Sequence, residues 1–380
     1  MTITAEWFWP QLHEAQRAVL LEILINGSRS RADLARRVGL TRASLTRLTR
    51  DLLELGFIEE GVTTPSGVRG RPSEMLNVIP SSAHLIGIKL TGDTLYAELA
   101  DLSTRPRAVR ELPLGSVEVE DVVALIAEVV ENFRQDAPNI AAVGVCLAGD
   151  VLHGPDGSAV VVGSHFLGWN EVPLQRLLED ALRLSVAVSN DVQALTAGHH
   201  WFGAGVGVDQ FAVIGVGEGI GAGMIVDGEL LRGARGHPGK VGHLALRADG
   251  PRCGFGHVGC VSSWVTTPAI LQAAGQASID DVIEAAGQGE PKAVAALDAA
   301  TDALGTVVAY LTNLVDPELV VIAGEGLHLA QRNPALLDRT IRDRLDPAAE
   351  PPRILVPEFG FEDYARGAAV VALRGLLIPG

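Results

Sequence analysis

The sequence has little of what secreted and membrane proteins need. Its three cysteines in 380 residues are too few for a disulfide framework in a chain of this length. We find no apolar run of the about 20 residues that cross a bilayer, and residues 1–11 lack the basic segment and long apolar run of a signal peptide. These absences predict a cytoplasmic protein that does not bind membranes. Because 47% of the 380 residues are hydrophobic, we expect two or three domains with large cores.

Basic charge is also scarce, since the formal net charge is −16. Such a value argues against nucleic-acid binding, which ordinarily requires a basic surface. The charge is unevenly distributed, however: residues 1–80 carry a balance of +1 and residues 81–380 a balance of −17. Residues 29–50 contain seven arginines and a single acid, Asp33. This front segment is therefore the part of the chain that is suited to contact a phosphate backbone.

The front segment has the pattern of a helix-turn-helix. Apolar residues recur at helical spacing over residues 12–24, and Asn26-Gly27 ends this first helix. Ser30 is a suitable N-cap for a second helix, which Gly39 ends, and Thr41 can cap a third. Four leucines are predicted to line the inner face of the third helix: Leu45, Leu48, Leu52 and Leu55. Two short helices joined by a tight turn place the second of them in a major groove.

The opposite face of the third helix is a candidate DNA-contacting surface. Its residues are small, hydroxylic or basic: Arg42, Ala43, Thr46, Arg47 and Arg50. Small side chains let the backbone approach the bases, and arginine binds phosphates or guanine edges. The alternative is an ordinary solvated helix face whose arginines serve solubility. Because the turn, the caps and the charge agree, we expect this face to bind double-stranded DNA.

Residues 57–80 are predicted to form the wing of a winged helix-turn-helix. Residues 57–60 and 75–78 have strand patterns, and a turn rich in glycine, serine and arginine separates them. Arg69 and Arg71 lie near the tip of this turn, where they could contact the minor groove or phosphates. The alternative is a flexible linker, but the apolar residues of the second segment favour a strand.

From residue 85 onward, short apolar runs alternate with amphipathic segments, as in an α/β fold. The predicted strands are residues 85–90, 95–99, 140–147, 186–188, 211–216, 221–226 and 319–323. The predicted helices are residues 119–133, 173–182, 303–314 and 365–376, with a further helix that begins at Val192.

Five segments of the body, in this order and spacing, resemble the ROK family of repressors and sugar kinases. They are FLGWNEVPL (166–174), VSNDVQALTAGHHWFG (188–203), GVGEGIGAGMIVDGELLRGARGHPGKVG (215–242), HLALRADGPRCGFGHVGC (243–260) and NLVDPELVVIAGEG (313–326). The resemblance covers nearly the whole chain, including the front domain fused to the family's repressors.

The resemblance implies an α/β fold class, with an N-terminal winged helix-turn-helix on a two-lobed, actin-like ATPase (ribonuclease H-like) body. We accordingly expect a DNA-binding domain at residues 1–80. The first lobe is expected at residues 81–195, with a closing helix at 362–380. The second lobe, at residues 196–361, is expected to carry the phosphate hairpin, the sugar-binding turn and a degenerate zinc loop.

The phosphate-binding motifs depart from the pattern of the family's kinases, in which Asp191 would be the general base. The family's first phosphate loop begins Asp-x-Gly-Gly-Thr, whereas residues 89–93 read KLTGD, so Lys89 replaces an aspartate that helps to hold Mg²⁺. Glu218 and Glu325 stand in the second phosphate loop and the adenosine loop, where acids repel a triphosphate. We therefore predict that ATP and Mg²⁺ bind weakly or not at all, and that the protein is not an enzyme.

The resemblance also implies which residues contact the effector: Asn190, Asp191, Lys240, His243 and Ser262. Lys240 replaces a sugar-binding glutamate of the family's Gly-Glu-x-Gly-His turn, and Ser262 replaces a second glutamate. Fewer acceptors and an added cation favour an anionic ligand, such as a sugar phosphate or a sugar acid. Two alternatives remain open. Asn190-Asp191 merely caps the following helix, or Lys240 pairs with Asp191 and the pocket binds nothing.

A zinc site of one histidine and three cysteines is a further implication of the resemblance, and this chain keeps His243, Cys253 and Cys260. Phe255 replaces the third cysteine, and His257 is a candidate substitute because structural zinc ordinarily has four ligands. The alternative is that Phe255 packs a metal-free form of the loop, so the sequence leaves bound zinc open. Cys146 lies in an apolar run and is predicted to be a core residue.

Together these features predict a dimeric or tetrameric transcriptional regulator that recognises an inverted repeat in DNA and senses a small sugar or an anionic sugar derivative. We expect repression of carbohydrate-related genes that the ligand relieves. Two other hypotheses remain. An active sugar kinase with a DNA-binding head is favoured by Asp191, and a ligand-free regulator controlled by a protein partner is favoured by Lys240 and Ser262.

Overall fold

The computed structural model describes residues 8–64, 73–154 and 157–378. Two compact units divide the chain: residues 1–206 with 364–380, and residues 207–363. The finer division into a head and two lobes, with boundaries at residues 80, 195 and 361, stays a prediction.

The front of the first unit contains three helices and a three-stranded sheet. The helices are α1 (Glu14–Asn26), α2 (Arg31–Arg37) and α3 (Arg42–Glu54), and the strands are β1 (Arg29–Ser30), β2 (Ile58–Thr64) and β3 (Ser73–Val78). β3 lies between β1 and β2 and is antiparallel to both. The hydroxyl groups of Ser30 and Thr41 accept hydrogen bonds from the backbone N–H groups of Asp33 and Ser44, which confirms both predicted N-caps.

The body follows with further helices and strands in both units. Its strands are β4 (His84–Leu90), β5 (Thr94–Asp101), β6 (Pro106–Pro113), β7 (Ile140–Leu147), β8 (Asp150–His153), β9 (Ala159–Gly163), β10 (Ser185–Asn190), β11 (Phe211–Val216), β12 (Ile220–Val226), β13 (Glu229–Leu230), β14 (Leu319–Ala323) and β15 (Arg353–Leu355). Its helices are α4 (Val119–Asp136), α5 (Leu174–Leu182), α6 (Asp191–Phe202), α7 (Ser262–Val265), α8 (Thr267–Ala274), α9 (Ile279–Gly287), α10 (Pro291–Val315), α11 (His328–Arg332), α12 (Pro334–Arg344) and α13 (Phe361–Leu377).

The sheet of the first unit has the strand order β10-β7-β4-β5-β6. β7 is buried along its whole length and runs parallel to both β4 and β10, as its unbroken apolar run predicts. Two glycines let α13 approach this sheet closely, because a Cβ atom at Gly87 or Gly144 would overlap the carbonyl oxygen of Ala365 or Ala368. Parallel strands end at the same edge, so the carboxyl ends of β4, β7 and β10 lie side by side.

One hydrophobic cluster of the first unit includes side chains from the front domain and from the body. It contains Leu20, Leu45 and Leu76 of the front domain together with Trp201 of α6 and Leu373 of α13. The front domain therefore shares buried apolar surface with the helices that follow Asp191 and close the chain.

The sheet of the second unit has the strand order β13-β12-β11-β14-β15, with β11 parallel to β14 and antiparallel to β12. α10 is twice as long as the predicted helix at 303–314. It begins at Pro291, where the side chain of Glu290 accepts a hydrogen bond from Ala293 N–H. Its first half is rich in alanine, and so shows little contrast between a buried and an exposed face.

α10 is an exception to the prediction that no apolar segment of this sequence is long enough to span a bilayer. By length and composition Pro291–Val315 passes that test, with a mean hydropathy of 1.4 over its most apolar window. The structure buries 67% of that window inside the second unit. The helix is apolar because it forms the centre of that unit's core.

Candidate DNA-binding surface and altered sugar-kinase site

The exposed face of α3 carries the five residues predicted to contact DNA. Arg42, Ala43, Thr46, Arg47 and Arg50 are all exposed. Leu45, Leu48 and Leu52 are buried on the opposite face, as their spacing predicts. The prediction for Leu55 is wrong, because α3 ends at Glu54 and the Leu55 side chain is 46% exposed.

The arginines of residues 29–50 fall into two groups. Those at positions 29–37 form ion pairs with Glu22, Asp33, Glu60 or Glu74: Arg29, Arg31, Arg36 and Arg37. Among the residues that the structure describes, the arginines of α3 form no ion pair: Arg42, Arg47 and Arg50. Arg69 and Arg71 lie outside the described residues. The exposed face of α3 thus carries three arginines that no described acid neutralises in an ion pair.

Asn190 and Asp191 lie at the carboxyl end of β10, where α6 begins. The Asn190 side chain accepts hydrogen bonds from Val192 N–H at 2.9 Å and Gln193 N–H at 3.3 Å, and donates to the Gly149 carbonyl oxygen at 3.0 Å. Asn190 therefore caps α6, as the alternative interpretation of this pair predicts. Asp191 is 8% exposed, and its Oδ1 also accepts from Val192 N–H, at 2.9 Å.

The carboxylate of Asp191 forms an ion pair with Lys89 of the same unit. The Lys89 ammonium lies 2.5 Å from Oδ2, with the two side chains 4% and 11% exposed. The same ammonium lies 4.5 Å from the centre of the Tyr364 ring, in cation–π geometry. The lysine that replaces the family's Mg²⁺-binding aspartate is thus buried against the residue that would be the catalytic base. Tyr364 is not among the site residues predicted from the sequence.

Cys146 lies under this pair as a buried core residue, as predicted. Its thiol is 3.4 Å from the Tyr364 carbonyl oxygen. Burial raises the pKa of Cys146 to about 12, with Lys89 opposing and Asp191 adding to the shift. A thiol with such a pKa is protonated at neutral pH and is chemically inert.

In the second unit, an acid occupies the surface of the phosphate hairpin. A Cβ atom at Gly217 would overlap Oε2 of Glu325, so the glutamate of the adenosine loop lies directly against the second phosphate loop. Glu218, the next residue of that loop, is exposed. The two acids that replace the family's usual residues, Glu218 and Glu325, are therefore close to the same turn.

The turn predicted to bind sugar, residues 239–243, is held tightly to the β11–β12 hairpin. Gly239 has φ +75°, and a Cβ atom there would overlap the carbonyl oxygen of Ala222. Lys240 is exposed. The Ser262 hydroxyl donates a hydrogen bond to the Gly242 carbonyl oxygen at 2.8 Å, so Ser262 braces the turn.

The structure brings three predicted metal ligands together. One ligand atom from each of His243, Cys253 and Cys260 lies within 4.8 Å of the others. The distance of 3.8 Å from Cys253 Sγ to His243 Nδ1 is near the roughly 3.6 Å that tetrahedral zinc geometry gives. His257 Nδ1 is 3.4 Å from His243 Nδ1, but His257 is not a member of the three-residue group. Burial, reinforced by His257 and Lys240, holds the pKa of His243 below its usual value.

Phe255 does not pack the loop in the way that the metal-free alternative requires. Its side chain is 76% exposed and meets the His243 ring edge-on, with ring centres 5.1 Å apart. The thiol of Cys260 is buried, and burial and the neighbouring Cys253 raise its pKa. The loop thus keeps a His-Cys-Cys group suited to a soft metal ion, without a core formed by Phe255.

Comparison with known proteins shows where this architecture belongs. The model of the ROK family matches residues 85–374. The chain belongs to the ROK family. A model for winged helix-turn-helix DNA-binding domains matches residues 12–59. These two matches confirm the predicted fold class, a winged helix-turn-helix joined to a ROK body.

Curated relatives of this ROK protein include transcriptional regulators. It is 28% identical to a putative xylose repressor of Caldicellulosiruptor sp. (strain Rt8B.4) over 332 residues, which is 81% of this chain and 82% of the relative. It is 28% identical to the DNA-binding transcriptional dual regulator NagC of Escherichia coli (strain K12) over 319 residues, 79% of this chain and 77% of the relative.

Solved structures include both branches of the family. A ROK family transcriptional regulator homologous to the E. coli MLC protein superposes with a TM-score of 0.83 over 96% of this chain and 98% of its own, at 24% identity. A ROK family glucokinase from Streptomyces griseus, solved with glucose and AMPPNP, superposes with a TM-score of 0.66 over 77% of this chain and all of its own, at 25% identity. The regulator thus matches the head and the body together.

Proposed function

We propose that this ROK protein is a DNA-binding transcriptional repressor of carbohydrate-related genes that a sugar-derived ligand controls. The observation that carries this proposal is the face of α3, where Arg42, Arg47 and Arg50 are exposed and form no ion pair with a described residue. Acids pair with the four arginines at positions 29–37, so within residues 29–50 the positive field is concentrated on the helix that would enter a groove. The relatives named as a xylose repressor and as NagC support the same function.

The DNA site is proposed to be an inverted repeat bound by a homodimer or a homotetramer. A two-fold symmetric dimer presents two identical recognition helices. Half-sites for such helices lie one helical turn apart, about 10–10.5 base pairs from centre to centre, or a multiple of it.

The body is proposed to bind its ligand without phosphorylating it. A general base needs a carboxylate oxygen that can take the proton of the sugar hydroxyl. In this protein Lys89 holds Oδ2 of Asp191 at 2.5 Å and Val192 N–H holds Oδ1 at 2.9 Å. Because position 89 is a lysine, the protein also lacks the carboxylate that the family resemblance assigns to Mg²⁺ binding. In addition, Glu325 places negative charge on the phosphate hairpin.

The ligand is proposed to be a sugar or an anionic sugar derivative. The candidate contacts are Asn190 and Asp191 in the first unit and Lys240, His243 and Ser262 in the second. Asn190 and Ser262 use hydrogen bonds to fix their own backbone surroundings, and Lys240 adds a positive charge where the family has a glutamate. Because the turn has a lysine donor where the family has a glutamate acceptor, an anionic group on the ligand would be the suitable partner at that position.

Zinc is proposed to bind at His243, Cys253 and Cys260. A metal ion there would fasten the cysteine loop to the sugar-binding turn, a structural role that ordinarily uses four ligands. His257 already lies beside His243 and is the residue available to approach as the fourth.

The test is an electrophoretic shift of the purified protein on the DNA upstream of its own gene, with and without sugars and sugar phosphates. If Arg47 contacts a guanine, Arg47→Ala should weaken DNA binding by about 1–3 kcal/mol. If it contacts a phosphate, the slope of log affinity against log salt concentration should fall by about 1. Arg36→Ala is the matched control, since it removes the same charge from an arginine that pairs with Asp33.

We expect Arg36→Ala to bind like the wild type and one compound to release the DNA. A coupled assay on the same sample should show no sugar-dependent ATP hydrolysis. Absence of specific binding at low salt, or equal effects of both arginine variants, would contradict the regulator proposal. Sugar-dependent ATP hydrolysis would contradict the loss of kinase activity.

A further inference from the structure

The second unit contains a small polar cavity apart from every residue discussed above as a ligand contact. Its lining comes from three helices and one loop: Leu246, Arg247, Trp264, Ala299, Asp302, Ala303, Thr306, Tyr310 and Arg344. Asp302, Thr306 and Tyr310 follow one another at helical spacing on α10, and Arg344 ends α12. The cavity has a volume of about 40 Å³.

Two guanidinium groups converge on one carboxylate in this cavity. Arg344 Nη2 lies 3.1 Å and Arg247 Nη2 lies 3.5 Å from the same oxygen, Oδ2 of Asp302. The other oxygen accepts a hydrogen bond from the Thr340 hydroxyl at 3.0 Å. One acid therefore faces two cations, and the cluster carries a formal charge of +1.

The remaining hydrogen-bonding capacity of the cavity consists of donors. Each guanidinium has five N–H groups, and Asp302 engages few of them. The Arg247 guanidinium lies 5.0 Å from the Trp264 ring centre, which fixes its plane. The side-chain exposures of Arg247 and Arg344 are 53% and 35%, so a ligand can reach both. The Tyr310 hydroxyl adds a group without a hydrogen bond to a described residue.

We propose that this cavity binds a phosphate group, either as inorganic phosphate or as the phosphoryl end of a small metabolite. Paired arginines recognise phosphate through parallel N–H···O bonds. The lining of the cavity includes none of the candidate effector contacts, which separates this site from the sugar effector. The loop that supplies Arg247 is anchored to Gly259, since Leu246 N–H and Arg247 N–H both donate to the Gly259 carbonyl oxygen. An occupied site would thus brace the residue before Cys260.

The experiment is isothermal titration calorimetry of the full chain with inorganic phosphate and, in a second arm, with glycerol phosphate, at constant ionic strength. Arg247→Gln and Arg344→Gln should each weaken phosphate binding about tenfold or more, because each removes charged hydrogen bonds. Arg342→Gln is the matched control: it removes the same charge two residues away, from an exposed arginine that pairs with Asp338 on the outside of α12.

The expected result is saturable binding of phosphate that Arg342→Gln leaves unchanged. Tighter binding of glycerol phosphate would identify the phosphoryl end of a metabolite as the ligand, and equal or weaker binding would identify inorganic phosphate. Heat that does not saturate, or an equal loss in all three variants, would overturn the proposal. Because the titrations contain no sugar and no DNA, their outcome does not depend on the repressor proposal.

Discussion

Breaking the buried Lys89–Asp191 ion pair should lower the free energy of unfolding by an amount that the structure lets us estimate. Lys89→Met keeps most of the apolar stem of the side chain but leaves the Asp191 carboxylate, 8% exposed, without its cation. Removing one partner of a buried ion pair costs about 3–5 kcal/mol. Asp191→Asn should cost a similar amount, since it removes the carboxylate that pairs with the ammonium of Lys89, which is 3% exposed.

The double variant separates the charge effect from packing. In Lys89→Met/Asp191→Asn neither ion is buried alone, so the double variant should be less destabilised than the sum of the two single variants. The coupling energy should be roughly 1–3 kcal/mol, the range for residues in direct contact. Arg176→Met is the control, because Arg176 and Asp180 are 83% and 70% exposed at a distance of 4.0 Å. Its effect should stay within about 0.5 kcal/mol.

The measurement is urea unfolding followed by tryptophan fluorescence in a Trp264→Phe background. The other four tryptophans then all belong to residues 1–206, so the signal reports on the first unit. A cost below about 1 kcal/mol for Lys89→Met, with additive single variants, would refute the reasoning, since it would mean that water already solvates Asp191.

Two further substitutions test the fold. Gly144→Ala should destabilise the first unit by several kcal/mol and lower its urea midpoint, because the added Cβ overlaps the carbonyl oxygen of Ala368; Gly115→Ala, where a Cβ meets nothing within 4 Å, should be nearly neutral. Leu45→Ala should destabilise the front domain by about 2–5 kcal/mol, seen by circular dichroism as a lower melting temperature, because Leu45 is fully buried. Leu55→Ala is its control at 46% exposure, and equal losses in both leucine variants would contradict the assigned inner face of α3.

The strands of the body could be predicted where a run is apolar and continuous. The bounds of β7, β11 and β14 are as predicted, because each is a central strand buried along its whole length. β6 was missed because it lies at the edge of its sheet and is mostly exposed. Its arginines and prolines obscure the alternation that marks a half-buried strand.

The Lys89–Asp191 contact follows from the strand order and register of the first unit's sheet, which were not predicted from the sequence. β4, β7 and β10 are parallel neighbours, and register pairs Lys89 with Cys146 and Cys146 with Ser189. The carboxyl ends of β4 and β10 therefore bring Lys89 within a strand's width or two of Asp191. What the sequence could not supply is Tyr364, which is distant in the chain and reaches the pair through the close packing of α13 at Gly87 and Gly144.

The contact also bears on the charge of the effector. At the four positions 89, 191, 240 and 262, the family pattern has Asp, Asp, Glu and Glu, whereas this chain has Lys, Asp, Lys and Ser. The formal charge over these positions is −4 in the pattern and +1 here. Lys89 is paired with Asp191, and the exposed position 240 carries a lysine where the pattern has a glutamate. A hydroxyl oxygen of a neutral sugar can accept a hydrogen bond from a lysine, but a phosphate or carboxylate forms a stronger hydrogen bond because both partners are charged. A sugar phosphate or sugar acid should therefore release DNA at lower concentration than its parent sugar.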